Sequence, residues 1–533
     1  MKKWMSGLIV LALMMLCVAC SNGDNGDNGS NEKGGAKEDQ TDTGQAATAA
    51  PEETVKIEVE RWFSVTVDPP EPGNDAILQQ IKKDLNIDLQ YAFTSGKSDE
   101  WRAKLGARIA ASDLPEAILF FNMKDYVKAQ MEGYLMPLND VLTLDNLPSN
   151  MGYINKEMLF SISDSDGNYH GIPSRPPSVT NSLFIRKDWL DKLELPMPQT
   201  TEELREVMLA FAHDDPDGNG KKDTFGFSAP GSSMTNQVFW QLLSSFTGDV
   251  RGTYWVDEAG KLAGGPTSDG MRQYLQYMQD LMKEGAIDPD MATNNLDRVT
   301  QKIEQGQVGI FFHAGYPASI VDNMKAINPD AETVILPPVT GPAGRASNNA
   351  KTYAPNGVLG VTMKLKDDPA KVQKIIDLLN WMNGGIGEEL LTFGVEGVNH
   401  KRENGKVTEF LPGKQSNYLP AYSLIGETAL KTKPESVQAF YPDPFLYEQQ
   451  MLLLGDKPER GSVFTMGYAK EPIEYAADLN KYVNEMMMKF IYANVALDDS
   501  SWADYVKTYM ETYKGQRYVD AVTEQLEQNG VLK

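Results

Sequence analysis

The chain has 533 residues, 74 acidic against 50 basic side chains and a formal net charge of −24. A balance this acidic argues against nucleic acid or an anionic membrane surface as partner, because both demand a basic face. The length exceeds what one core normally serves, so two lobes are expected.

Lys2 and Lys3, an apolar run from Trp4 to Val18 and small Ala19 before Cys20 have the order of a secretory signal, expected over residues 1–19. The apolar run is shorter than the roughly 20 residues that span a bilayer as a helix, and no later stretch is comparably apolar. Cys17 and Cys20 are the only cysteines, so the body has neither an internal disulfide nor a catalytic thiol. The segment resembles the lipobox of bacterial lipoproteins, which implies cleavage before Cys20 and a fatty-acylated diacylglycerol on its thiol. It departs from that pattern in carrying Cys17 where Leu is preferred, and simple secretion with an unmodified thiol is the alternative. Residues 20–53 follow as Ser, Asn, Gly, Asp, Glu, Lys, Thr and Ala with no aromatic residue. Such a composition buries too little apolar surface to offset ordering entropy, so it reads as a flexible tether. With the lipid, it would hold the protein on the outer face of the cell membrane, with no other membrane contact.

The body opens with a strand from Val55 to Val67, where apolar and polar residues alternate. Helical periodicity follows over Asp75–Leu85 and Glu100–Ala111, then a turn at Pro115 and a buried apolar strand ending at Asn122. Strands are expected at Tyr169–Pro173, Ser182–Ile185, Val308–Phe312 and Gly357–Met363. Helices are expected from the Thr200–Glu203 capping box to Ala212, at Ser268–Glu284 and Pro369–Met382, and around Ala476–Asn494 and Trp502–Tyr513. Interleaved strands and helices make the class α/β with mainly parallel sheets.

Several segments together resemble the extracellular solute-binding proteins of family 1, in particular the long lipoprotein branch related to alginate-binding proteins. They are Ala110–Glu116, Gly171–Arg175, Leu183–Leu190, Gly285–Pro289, Gly306–Phe312 and Phe393–Gly397, spread over nearly the whole body. The resemblance implies a two-lobed, periplasmic-binding-protein-like fold with a hinge. It puts residues 54–168 and 340–405 in a first lobe, and 169–339 and 406–533 in a second. It also implies a function: capture of a carbohydrate, in all an oligosaccharide, between the lobes, and delivery to the permease subunits of an ABC importer.

Asp215, Asp217, Asn219 and Asp223 occupy positions 1, 3, 5 and 9 of an EF-hand-type loop, with Gly220 at position 6 and the Lys221 carbonyl at position 7. Calcium (Ca2+) is the expected ion, in a structural role. Position 12 is Gly226 instead of Glu, and Thr224 stands where the alginate-binding relatives carry an acid. The same residue types also form plain surface turns.

Sugars need aromatic platforms under their C–H faces and polar groups at their edges. Open α/β sheets bind ligands at strand carboxyl ends, which nominates Trp62, Phe63, Phe121 and Asn122. Arg175, Trp240, Tyr316 and Tyr353 are further candidates. Trp189, Trp381 and Trp502 sit in helical runs with apolar partners and read as core. A uronate ligand would want Arg175 in the cleft, and a neutral one would not. The rival reading is a polysaccharide-cleaving enzyme using two carboxylates. However, the chain has no H-E-x-x-H, G-x-S-x-G or phosphate-binding glycine loop, and its four histidines lack ligand spacing. No enzyme is therefore expected. A peptide or another solute on the same scaffold is the third reading.

Overall fold

The computed structural model describes residues 53–63, 69–141, 154, 156–164, 166–174, 181–231, 239–249, 254–257, 259–314, 316–346, 351–352, 355, 357–411, 418–424, 433–455, 461–462, 470–528 and 532. The signal segment, Cys20 and the tether up to residue 52 lie outside them.

Strand β1 (Val55–Phe63) puts Ile57 and Val59 into a core on one face, as the alternation requires. Helix α1 (Ala76–Leu85) starts where the Asp75 carboxylate accepts the backbone N–H groups of Ile77 and Leu78. It stops at Asn86, in the left-handed region at φ 56°. Then come β2 (Ile87–Ser95), α2 (Ser98–Ala110), β3 (Ala117–Phe120), α3 (Met123–Met131), α4 (Lys156–Ser161) and β4 (Gly171–Pro173). Strand β2 carried no sequence expectation, although Ile87, Leu89, Tyr91 and Phe93 alternate with Asp88, Gln90 and Thr94 as in a half-buried strand.

The second lobe begins with β5 (Asn181–Arg186), α5 (Lys187–Lys192) and α6 (Thr201–His213). The Thr200–Glu203 capping box is formed as read. Next are β6 (Phe225–Phe227), α7 (Trp240–Thr247), β7 (Tyr254–Val256), β8 (Leu262–Gly264), α8 (Asp269–Lys283), α9 (Leu296–Glu304), β9 (Val308–Ala314), α10 (Ala318–Ile327) and β10 (Thr333–Ile335). A short hairpin, β11 (Thr340–Gly341) with β12 (Gly344–Arg345), and β13 (Lys351–Thr352) lead back. Helix α6 lies so close to the sheet that a Cβ on Gly309 would meet the Phe211 ring at 2.2 Å, and one on Gly226 the Met208 carbonyl at 2.3 Å. Glycine is therefore required at both strand positions.

The chain returns as β14 (Val358–Val361), α11 (Pro369–Met382), α12 (Gly385–Phe393), the hairpin β15 (His400–Glu403) and β16 (Lys406–Phe410), α13 (Leu419–Tyr422) and α14 (Pro434–Phe440). It ends with α15 (Pro444–Gly455), β17 (Gly461–Ser462), α16 (Lys470–Ile491), α17 (Asp499–Lys507), one π turn (Thr508–Thr512) and α18 (Gly515–Gln528).

The first sheet has the order β2-β1-β3-β14-β4, and the second β10-β5-β9-β6. Both are mixed, which corrects the expectation of mainly parallel sheets. β1 runs parallel to β2 and β3, but β14 is antiparallel to β3 and β4. In the second sheet only β6 and β9 are parallel. The reason is topological: the chain leaves the first sheet at the carboxyl end of β4, so a strand coming back at that edge must run the other way.

Two large cores result, one around Ile118, Phe120 and Leu359, the other around Trp189, Phe211 and Leu275. Trp189 and Trp502 are buried as expected, and Trp381 packs on the first core with its indole N–H on Asp84 at 2.9 Å. The expected lobe boundaries place 406–533 in the second lobe and the first crossover at 169. In the structure, Leu419, Tyr422 and Leu424 pack into the first core, and Gly171–Pro173 is an edge strand of the first sheet. In the second lobe, fully buried Asp288 accepts Lys302 at 2.7 Å, Ser228 at 2.7 Å and Asn294 at 2.8 Å. The Gly285–Pro289 motif is thus a structural clamp that ties the loop after α8 to β6.

Candidate functional site

Strand register decides what meets at the carboxyl edge of the first sheet. Phe63 lies opposite Ser95, and Arg61 opposite Leu119 puts Phe121 at the level of Phe63. Val358 opposite Phe120 and Pro173 brings Gly357 and Ser174 to the same line, where the Ser174 N–H donates to the Gly357 carbonyl at 2.9 Å. The edge therefore gathers half-buried Trp62, Phe63 and Phe121 with exposed Asn122. The chain crosses to the second lobe from this same edge.

The sequence reading missed Arg61, which organises that edge. It is fully buried, its guanidinium 4.3 Å from the Phe63 ring and 5.4 Å from the Phe121 ring. It donates to the carbonyls of Ala421 and Ser423, the latter at 2.9 Å. One sequence signal could have found it: Val55, Ile57, Val59, Arg61 and Phe63 share a face of β1, so an arginine stands in phase with the inward apolar set. Tyr422 reinforces the arrangement by donating to the buried Asp75 carboxylate at 2.5 Å, while accepting the Tyr91 hydroxyl on its own carbonyl at 2.6 Å. Burial and the Asp75 carboxylate push the Tyr422 hydroxyl far above the ordinary phenol range.

The other nominated residues are placed variously. Trp62 donates its indole N–H to the Gly96 carbonyl at 2.8 Å. The Asn122 side chain caps α3, accepting the Lys124 N–H at 2.9 Å. Tyr316 is half-buried, set edge-on to Phe184 at 6.0 Å and to Phe445 at 5.7 Å, and belongs to the packing around β10. Its hydroxyl is pushed up to about 12, mainly by burial. Trp240 is the first residue of α7 and its side chain lies outside the described residues, as do Arg175 and Tyr353 altogether.

The Asp215–Asp223 loop joins α6 to β6. It turns through three left-handed residues, Asp215 (φ 50°), Gly218 (φ 74°) and Gly220 (φ 76°). Asp215 accepts the N–H groups of Asn219 and Gly220, both at 3.0 Å. The Asn219 amide bridges the carboxylates of Asp217 at 2.7 Å and Asp223 at 3.1 Å, and Asn219 accepts the Lys221 N–H at 2.7 Å. Burial, then Asp215 and Asp223, push the Asp217 carboxyl above its ordinary value. Among the described residues no group of three His, Cys, Asp or Glu side chains stands ready to hold a metal. The donor chemistry nevertheless fits a hard cation: all candidate ligands are oxygens, and their mutual repulsion is what a dication relieves.

The model of the bacterial extracellular solute-binding proteins matches residues 69–384, more than half of the chain, which belongs to that family. The polygalacturonan/rhamnogalacturonan-binding protein YtcQ of Bacillus subtilis is 24% identical over 460 residues, covering 84% of this chain and 87% of that protein. FusA of Streptococcus pneumoniae, a fructooligosaccharide ABC transporter substrate-binding protein, is 26% identical over 297 residues, 53% of each chain. Its structure with kestose superposes at TM-score 0.62 and 20% identity, covering 89% of this chain and 99% of FusA. An EF-hand mutant of FusA with fructo-nystose superposes at 0.59. The alginate-binding protein AlgQ2 without calcium ion does so at 0.58, with 20% identity and coverage of 88% and 97%. These likenesses establish the two-lobed solute-binding fold, and the relatives named for a function are binding proteins rather than enzymes.

Proposed function

We propose that this member of the bacterial extracellular solute-binding proteins captures an oligosaccharide between its lobes and delivers it to the permease subunits of an ABC importer. The observation that carries the reading is the pair of half-exposed rings, Phe63 and Phe121, held along the crossover edge by Arg61, with half-exposed Trp62 beside them on the other face of β1. Ring faces set at one level suit the C–H faces of sugars. YtcQ and FusA, which resemble the chain over much of its length, are named for polysaccharide and fructooligosaccharide ligands. Arg175, Trp240, Tyr316 and Tyr353 are proposed as further contacts, with Asn122 contributing the amide nitrogen that its capping role leaves over. Ligand favours closure of the lobes by its differential affinity for the closed form.

The lipid on Cys20 and the tether would keep the protein on the outer face of the cell membrane. Calcium, held by Asp215, Asp217, Asn219, Asp223 and the Lys221 carbonyl, would supply positive charge that stiffens the loop between α6 and β6. A FusA variant described as an EF-hand mutant supports such a loop in a relative.

A thermal-shift series with neutral and acidic oligosaccharides, with and without calcium, tests this reading. Ligand at 100 times its Kd is expected to stabilise the protein by about 2.7 kcal/mol without being consumed. Cleavage of the ligand sinks the binding reading in favour of an enzyme, and silence across all sugars moves it to a peptide or another solute.

A further inference from the structure

The β2 flank of the first lobe has a recess that the candidate site does not use. Along β2, Ile87 and Leu89 are buried under the lobe, whereas Tyr91 and Phe93, two and four residues on from Leu89 and on the same face, are only half-buried. They line a cavity of about 530 Å³ together with Tyr422, bounded by Pro69, Pro70 and Pro72 on one side and by the exposed Gln79 and Lys82 of α1 on the other. That volume lies within the about 300–1,000 Å³ typical of small-molecule pockets. Because β2 ends its sheet, no further strand among the described residues covers this flank.

The three rings are fixed in place. Tyr91 and Phe93 stack with centroids 5.0 Å apart and planes 4° from parallel. Tyr422 stacks on Tyr91 at 5.0 Å and is pinned through its hydroxyl to Asp75. Gln79 donates to the Pro72 carbonyl at 3.1 Å, which ties the proline rim to α1. The group is continuous with the candidate site, since Phe93 meets Phe63 edge-on at 5.7 Å and Phe63 lies over Arg61 beside Phe121. A lane of aromatic surface thus runs from the crossover edge outward to the recess.

We propose that this recess is a distal sugar subsite, in which rings of the same oligosaccharide that occupies the crossover edge rest on Tyr91 and Phe93, with Gln79, Lys82 and Asp88 meeting hydroxyls. The proposal rests on the oligosaccharide reading and refines it: the ligand is long enough to extend past the cleft, and affinity grows with chain length. Two partly exposed rings, Tyr91 and Phe93, backed by the buried Tyr422 and set beside amide, ammonium and carboxylate groups, are the chemistry a sugar requires.

The test is calorimetric titration of the protein with fructooligosaccharides and oligogalacturonides of graded length. It compares the wild type with Gln79→Trp, which fills the recess from an exposed helix position, and with Phe93→Leu, which removes a wall. For whichever series binds, the longer members are expected to bind the wild type about tenfold tighter than the shortest. Both variants are expected to lose that gain while binding the shortest member normally. Equal length dependence in the wild type and in Gln79→Trp overturns the subsite and leaves the oligosaccharide reading standing. Absence of binding by every member of both series overturns the two together.

Discussion

The carboxyl edge of the first sheet and the Asp215–Asp223 loop of the second lobe are both surfaces on which a few side chains converge, but they converge by opposite means. The edge draws Phe63, Ser95, Phe121, Ser174 and Gly357 from five strands, and only strand register and the buried Arg61 bring them to one level. The loop is nine consecutive residues whose carboxylates and amide bond to one another and to their own backbone. A surface of the first kind depends on the whole core beneath it, and one of the second kind depends on almost nothing outside itself.

That difference can be broken most forcefully from the core. Phe120 is buried between Trp101 and Tyr126 at the end of β3, and Phe120→Ala is expected to cost about 3–5 kcal/mol. Urea denaturation reads that loss, and ligand titration should show weakened binding in the fraction still folded.

Arg61→Met separates the edge from the core more finely. It leaves the carbonyls of Ala421 and Ser423 without this donor, at about 1–3 kcal/mol. Ligand-induced thermal shift should fall by more than the loss of stability explains, with Arg61→Lys restoring part of it. Equal ligand response in wild type and Arg61→Met would remove Arg61 from the site.

Thr200→Ala removes the capping box of α6, at the helix end remote from the loop, and should cost about 1 kcal/mol. Calcium and ligand responses are expected to stay as in the wild type, because the loop carries its own hydrogen bonds.

The smallest effect on stability is expected at Asp217→Asn. The folded Asp217 carboxyl titrates above its ordinary value, so its contribution is fully present below the unfolded pKa and is lost as pH rises through the folded one. Without calcium, the variant should therefore lack a small decline in stability on the acid side of neutrality. It should also lose the calcium-dependent rise in melting temperature, and a full calcium response in this variant would rule out the proposed ligand set.

Much of the fold was legible where the signal is local. The Thr200–Glu203 box, the Asp75–Leu85 helix and the apolar alternation of β1 each place their determinants within a few residues, and the structure realises them nearly where expected. Strand β2 was legible but passed over: Ile87, Leu89, Tyr91 and Phe93 alternate with Asp88, Gln90 and Thr94 as in a half-buried strand. The direction of β14 was hidden, since nothing in Val358–Val361 records that the chain arrives from the other lobe.

The same division holds for the sites. The amino-acid sequence by itself determined the Asp215–Asp223 loop, the positions of Trp62, Phe63 and Phe121 at strand ends, and the membership of Trp189 and Trp502 in the core, because periodicity and spacing act over short chain distances. Only the tertiary structure decided that Arg61 lies beneath two of those rings, that Tyr422 joins a strand more than three hundred residues earlier in the chain, and that Asn122 also serves as a helix cap. Those outcomes depend on which strands pair and in what register, and register is set by the packing of a whole core, which no short segment encodes.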